Sequence, residues 1–256
     1  MGKLCGHDYF PTDMNQLPKR KKRSRFYFFM GLTGLFAVVG GFATTFIIPV
    51  ATGSFKAPLF IYVHGLLAFM WVCLFIIQVS LIHRRNYRLH MRTGIVALVI
   101  ALGIVLTMLP VGNYAVQKEL GQGLGATAIS GIVGVVTSGL LFLSLVIAGL
   151  MNRKRPSSHK RLMLLANIAL LWPAWFRFRH YFPAIPNPEI WFAVVLADSL
   201  IVIAWIRDKK VSGRIHPVLL YIGGLIIAEH IFEVLAFDSK GWREVAGFIY
   251  SRYNSI

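Results

Sequence analysis

Residues 59–82 constrain the fold of this chain more than any other segment, because His64 is the only residue in them that can carry a charge. The segment is longer than the roughly 20 apolar residues that a helix needs to cross about 30 Å of hydrocarbon. A basic turn follows it and leads to Gly94. Residues 59–82 therefore predict a transmembrane helix and not a helix buried in a soluble core.

The composition of the whole chain is also that of a membrane protein. Of its 256 residues, 56% are hydrophobic and only 14% are charged, which is outside the usual range of soluble domains. Cys5 lies in a polar tail and Cys73 lies in an apolar segment, so neither a disulfide framework nor a cysteine metal cluster is expected. The net charge of +17 comes from basic residues that flank apolar segments, a pattern typical of membrane orientation and not of nucleic-acid binding.

Apolar segments separated by polar turns predict an all-α, polytopic membrane bundle of seven transmembrane helices over residues 26–237. Residues 1–25 are predicted to be a basic tail and residues 238–256 a second tail. Pro110 and Gly112 are expected to end the third helix. The predicted helices cover residues 26–50, 58–82, 91–111, 126–150, 159–176, 190–206 and 217–237.

The distribution of positive charge predicts the orientation of these helices. The N-terminal tail and three alternate turns, at residues 83–92, 151–161 and 207–216, hold 20 of the 27 Lys and Arg residues. Positive charge is enriched in cytoplasmic loops, so the N-terminus is predicted to be cytoplasmic and the C-terminus to be outside. A multi-pass protein of a bacterial inner membrane, with the lipid bilayer as its surroundings, is expected.

Polar residues inside the predicted helices are candidate functional residues, because the bilayer makes them costly. His64 and His230 are expected at similar depths near the outer side and could share a ligand. Asp198 and Glu229 are candidate catalytic bases, which could pair with a histidine or with basic residues such as Arg177, or take up a proton. The alternative is that each group only forms hydrogen bonds between helices.

Three further histidines, His90, His159 and His216, each stand at the start of a predicted helix on the cytoplasmic side. Neutral imidazoles are common metal ligands, so the three predict a metal site with an open position for water. The same helix ends could instead bind an anion such as a phosphate or an anionic lipid head group. The candidate anion-binding residues are Arg88, Arg92, Lys160 and Arg161. A third reading is that the histidines only lie at the interface and the arginines only orient the chain.

The motifs LHMRTG (residues 89–94) and HKRLMLLA (residues 159–166), with HPVLL at His216 and VHG at His64, resemble landmarks of a group of bacterial multi-pass membrane proteins of unknown function. That group is faintly similar to the transmembrane b-type cytochromes that act as ascorbate-dependent ferric reductases. The resemblance implies two haem b groups, one near each face. It implies His64 as an outer axial ligand with His230 as its partner, and His90, His159 or His216 as inner ligands.

Three hypotheses for function follow. The first is a haem or divalent-metal redox protein that passes electrons across the membrane to a redox partner. The second is a metal-dependent membrane enzyme that acts on a lipid and uses Asp198 or Glu229 as a base. The third is a non-enzymatic transporter or binding subunit, in which Asp198, Glu229 and Arg177 line a path.

Overall fold

The computed structural model describes residues 25–255, and the predicted all-helical class is confirmed over this range. The predicted basic tail, residues 1–25, lies outside the described residues except for Arg25. A short 3₁₀ turn, Arg177–His180, also occurs. The helices are α1 (Phe26–Ala51), α2 (Leu59–His83), α3 (Tyr87–Gly121), α4 (Ala126–Met151), α5 (Pro156–Leu170), α6 (Trp172–Phe176), α7 (Glu189–Ser212), α8 (Val218–Ala236) and α9 (Lys240–Asn254).

Six of these helices, α1 to α4 with α7 and α8, are long and apolar enough to cross a membrane. The fifth predicted helix differs, because it is split at Leu171 into α5 and α6. Pro173 follows the break, and its missing N–H cannot continue the hydrogen bonding of α5. The described residues therefore contain six candidate spans and one broken apolar helix pair, where the sequence predicted seven continuous helices.

The broken helix α5 lies at the centre of the bundle and contacts α1, α2, α4, α7 and α8. Its residues from Leu164 to Ile168 are at most 1% exposed, although apolar side chains on the outer helices are widely exposed. Apart from Asn167, this stretch is apolar on every side, and a helix that is apolar all round is buried. The interior of the bundle is therefore built around α5, and the outer helices turn their apolar faces to lipid.

Small residues on α1 allow it to approach this central pair closely. Gly34 packs against Leu171, and Gly41 lies over the backbone of α6, where a Cβ atom would come within 2.2 Å of the Ala174 carbonyl oxygen. Ala37, between them, is fully buried. Close contact through small residues is the usual way in which membrane helices associate.

Gly41→Ala is expected to destabilise the protein by about 1–3 kcal/mol, because backbone atoms cannot move away as a flexible side chain can. The matched control is Gly131→Ala in α4, where a Cβ atom would meet nothing within 4 Å and better helix propensity stabilises. The unfolding of both variants in detergent measures the difference. Equal stability of the two variants would contradict the close contact of α1 with α6.

Three stretches of π-helix interrupt the regular helices: Ala43–Ile47 in α1, Glu189–Leu196 in α7 and Val218–Ile222 in α8. π-turns are rare and often occur at functional sites. Two of the three begin the helices that carry Asp198 and His230. The π-helical stretch of α8 is held in place by Trp205 of α7, whose Nε1 donates to the Leu219 carbonyl at 2.5 Å.

The predicted end of the third helix is wrong. The third helix continues through Pro110 and Gly112 as far as Gly121, since a proline is tolerated inside a membrane helix when neighbouring groups satisfy the freed backbone. Gly112 instead lets α3 approach Val135 of α4, where a Cβ atom would come within 2.8 Å of a valine methyl. The C-terminal segment, predicted as a second tail, contains the amphipathic helix α9.

Helix α9 packs against α4 through Trp242, whose Nε1 donates to the Ser130 carbonyl at 2.9 Å. Asp238 fixes the turn before α9 by accepting hydrogen bonds from Thr127, Ser130 and Arg243. The Arg243 guanidinium, together with these hydroxyl donors, holds the pKa of Asp238 well below its usual range. The end of the chain is therefore attached to the bundle by both apolar and charged contacts.

Candidate functional site

His230 and Asp198 form the centre of a buried polar cluster between α7 and α8. Nδ1 of His230 donates to Oδ1 of Asp198 at 2.8 Å, and the two side chains are only 4% and 6% exposed. The second carboxylate oxygen of Asp198 is buried without a hydrogen-bond partner. The pairing of a buried carboxylate with a histidine is one of the outcomes that the sequence left open for Asp198.

Glu229 lies on the other side of the same imidazole. Its Oε2 is 3.7 Å from Nε2 of His230, and both of its carboxylate oxygens are buried without a hydrogen-bond partner. His230 therefore lies between two carboxylates, one near each ring nitrogen. Such an arrangement lets an imidazole receive a proton on one side and release one on the other.

Glu233, one turn further along α8, adds a third carboxylate, and with Glu229 it flanks His230 in the sequence. It accepts a short hydrogen bond from Thr137 of α4. Gly134 provides the space, since a Cβ atom there would come within 3.6 Å of the Glu233 carboxylate. Glu229 and Glu233 lie on one face of α8, because residues four apart share a helix face.

No arginine pairs with this cluster among the described residues. Arg177 donates to the Pro173 carbonyl at 2.8 Å and stacks over Phe42, with its Cζ 4.2 Å from the ring centre. Arg179 stacks over Phe176 in the same way, at 3.8 Å. The cluster therefore holds three carboxylates and one imidazole, without a permanent cation within ion-pair distance.

His64 lies apart from this cluster, on α2. Its Nδ1 is 2.8 Å from the Thr107 hydroxyl of α3, which also donates to the Gly103 carbonyl at 2.7 Å. Among the described residues, His64 and His230 share neither a hydrogen bond nor a ring contact, and their partners stand on different helices. The structure does not bring the two predicted outer haem ligands together through a common contact.

At the predicted cytoplasmic end, the structure brings two of the three predicted metal ligands together. The ring centres of His90 on α3 and His159 on α5 are 6.3 Å apart. His216 is held elsewhere, because its backbone N–H donates to Asp208 and its Nδ1 accepts from the Val218 N–H. Over residues 25–255, no group of three or more His, Cys, Asp or Glu side chains is arranged to hold a metal ion. The predicted three-histidine site is therefore reduced to a pair.

Arg161, a predicted anion-binding residue, is instead paired with Asp208. Its Nε and one terminal nitrogen donate to the two oxygens of Asp208 at 2.8 and 2.9 Å, and both side chains are at most 5% exposed. A second terminal nitrogen donates to the backbone and side chain of Ser157. Burial, followed by the charge of Arg161, lowers the pKa of His216 below its usual value.

The other predicted anion-binding residues are placed differently. Arg88 and Arg92 are exposed on the first turns of α3. Lys160 extends over the ring of Tyr27 on α1, with its Nζ 5.5 Å from the ring centre. Arg161 differs from these three residues, because its guanidinium is paired with the buried Asp208 carboxylate.

Comparison of the chain with known proteins finds no matching family model, no matching curated protein and no matching solved structure. The fold itself defines the class. Six apolar helices, with their outer faces exposed and their polar groups turned inward, fit a multi-pass integral membrane protein in a lipid bilayer.

Proposed function

We propose that this membrane protein translocates protons, and that Asp198, His230, Glu229 and Glu233 are the groups that carry them. The observation that supports this function is the imbalance of the buried cluster, where three carboxylates surround one imidazole. The proposal develops the transporter hypothesis and assigns its path to the contact of α4, α7 and α8.

Electrostatics favours protons as the cargo of this cluster. If all four groups were ionised, the site would carry two net negative charges away from bulk water, and the effective cost of burying each such charge is several kcal/mol. A buried charge without a partner is relieved by binding a proton or a cation. Since the carboxylates and imidazole do not converge as metal ligands, exchangeable protons are the simplest means of neutralisation.

The roles of the residues follow from their contacts. His230 exchanges a proton between Asp198 on its Nδ1 side and Glu229 on its Nε2 side. The unpartnered oxygens of these two carboxylates are acceptors that can take up a proton. Glu233, held by Thr137, extends the chain of groups towards α4. Chains of Asp, Glu and His inside membrane proteins are characteristic of proton relays.

This function accounts for the cluster better than haem-linked electron transfer or lipid chemistry does. A haem shared by His64 and His230 would leave the three carboxylates without a role. A lipid-modifying metal enzyme would use Asp198 or Glu229 as its base, but both stand beside His230 and not beside the histidine pair at the other end. Proton translocation gives a role to each of these residues in the contacts that it makes in the structure.

We also propose that α5 and α6 together form a seventh crossing and that the chain has the orientation predicted from its charge. Together α5 and α6 cover residues 156–176, about 31 Å of helix at about 1.5 Å per residue, which is enough to span the hydrocarbon. With seven crossings, the N-terminus is cytoplasmic and α9 is outside, as the positive charge predicts. A bacterial inner membrane suits this distribution.

Infrared spectroscopy of the protein in lipid vesicles tests the proton-binding groups directly. We expect a protonated-carboxyl band that changes with pH and is reduced in Asp198→Asn, Glu229→Gln and Glu233→Gln. The matched control is Glu244→Gln on the exposed face of α9, which should leave the band unchanged. A band that is absent, or equal in all four variants, would refute the assignment.

Translocation itself is measured with a pH-sensitive dye inside the same vesicles. A pH gradient should decay faster across vesicles with the parent protein or Glu244→Gln than across vesicles with Glu233→Gln. Equal decay for all three would exclude translocation through this cluster. An absorption spectrum of the same sample decides the haem alternative, because a Soret band that is lost in His64→Gln would favour it.

A further inference from the structure

The pair of His90 and His159 carries a second inference, independent of the proton path. The two imidazoles come from different helices, with ring centres 6.3 Å apart and planes at 87°. With metal–nitrogen bonds of about 2 Å, two rings can bind one ion from opposite sides at this separation. The geometry is therefore compatible with a single bridging ion between α3 and α5.

The hydrogen bonding of the two imidazoles leaves a ring nitrogen of each available to bind such an ion. Nδ1 of His159 is 2.8 Å from the Gly149 carbonyl, which can only accept, so Nδ1 carries the proton and Nε2 has the free lone pair. Metal-binding histidines are commonly oriented by such a carbonyl. Nδ1 of His90 is buried without a hydrogen-bond partner, which costs free energy unless something binds it.

Met163 carries a thioether on the same helix as His159. It stands one turn after His159, on the same face of α5. Its sulfur lies over Gly149, 2.6 Å from the position that a Cβ atom there would occupy, so Met163 and His159 both contact the same glycine. The absence of a side chain at Gly149 leaves room for this thioether.

We propose that His90, His159 and Met163 bind one Cu(I) ion. Imidazole suits copper, and a thioether selects the soft monovalent ion over harder divalent ions. The positive charge around the pair also favours a monovalent ion over a divalent one. Lys160 neighbours His159, and Arg88 and Arg92 flank His90, so a divalent ion would meet about twice the repulsion that a monovalent ion meets.

A competition titration of the full chain in detergent tests this site. The parent carries Cys5→Ser and His7→Gln, which remove the thiol and the imidazole of the N-terminal tail. Cu(I) is supplied without oxygen, in the presence of ascorbate, and a coloured Cu(I) chelator reports the free ion. One equivalent is expected to bind, with affinity reduced at least about tenfold, or about 1.4 kcal/mol, in His159→Gln, His90→Gln and Met163→Leu.

His216→Gln is the matched control, since it also removes a histidine from the same end of the bundle and should leave copper binding unchanged. X-ray absorption of the copper-loaded parent should show two nitrogen ligands and one sulfur ligand. This spectrum needs no variant, so it tests the site even if a histidine variant fails to fold. Equal binding by His90→Gln and the parent, or a spectrum without sulfur and paired imidazoles, would overturn the proposal.

Discussion

Asp208→Asn is expected to lower the free energy of unfolding by about 3–5 kcal/mol, because it leaves the buried Arg161 guanidinium without its counter-charge. The side chains of the pair are 5% and 1% exposed, so water cannot take the place of the lost carboxylate. Asp208 also accepts from Arg207 and from the backbone of His216. Its loss therefore loosens the contact of α5 and α7 with the start of α8.

The unfolding of the detergent-solubilised variant, followed by circular dichroism, measures this effect. Lys209→Met, at the neighbouring exposed position, is the control and should change stability little. The double variant Arg161→Met with Asp208→Leu should recover much of the loss, since apolar replacement of both partners removes the unpaired charge. A double variant as unstable as Asp208→Asn would show that the pair acts through something other than its charge.

Trp242→Ala is expected to release α9 from the bundle, at a cost of about 3–5 kcal/mol. The indole is 8% exposed, donates to the Ser130 carbonyl and packs in a small apolar cluster with Val116, Ile132 and Val133. Removing it leaves a cavity and deletes the hydrogen bond to the Ser130 carbonyl. The remaining attachment of α9 is then the Asp238 turn and the hydrogen bonds of Tyr250 and Asn254 with α3.

Hydrogen exchange of the α9 backbone amides measures the release. Phe248→Ala is the control on the same helix, because that ring is 67% exposed and its loss should leave exchange slow. Faster exchange in α9 alone is expected, with the amides of α4 and α5 still protected. Unchanged exchange in Trp242→Ala would mean that the Asp238 turn and the contacts with α3 hold α9 without the indole.

The sequence predicted best those elements whose evidence is local. An uninterrupted apolar segment of membrane-spanning length identifies its own helix, so the predictions for residues 58–82 and 126–150 agree within one residue with α2 and α4. The rule that proline ends a helix failed at Pro110, because a membrane helix tolerates a proline in its interior. The break at Leu171 had a local signal in Pro173, which the prediction of a continuous helix over residues 159–176 did not use.

The site was only partly predictable because its contacts are far apart in the sequence. Asp198 and His230 were both identified from their cost in a membrane, but their pairing joins residues 32 apart. The pair of Arg161 and Asp208 was missed, since each lies in a polar turn where an exposed charge is the ordinary expectation. His90 and His159 were grouped correctly, whereas His216 was added because it shared their position relative to a helix.

The π-helical turns of α7 and α8 have a mechanical consequence. One extra residue in a turn offsets the angular phase of everything that follows it by about 100°, since an α-helix has 3.6 residues per turn. Asp198 follows Glu189–Leu196 directly, and His230 follows Val218–Ile222 on the next helix. The alignment of the carboxylate with the imidazole thus depends on the wider winding of these two π-helical stretches, and tightening either one to an α-helix would rotate one partner away from the other.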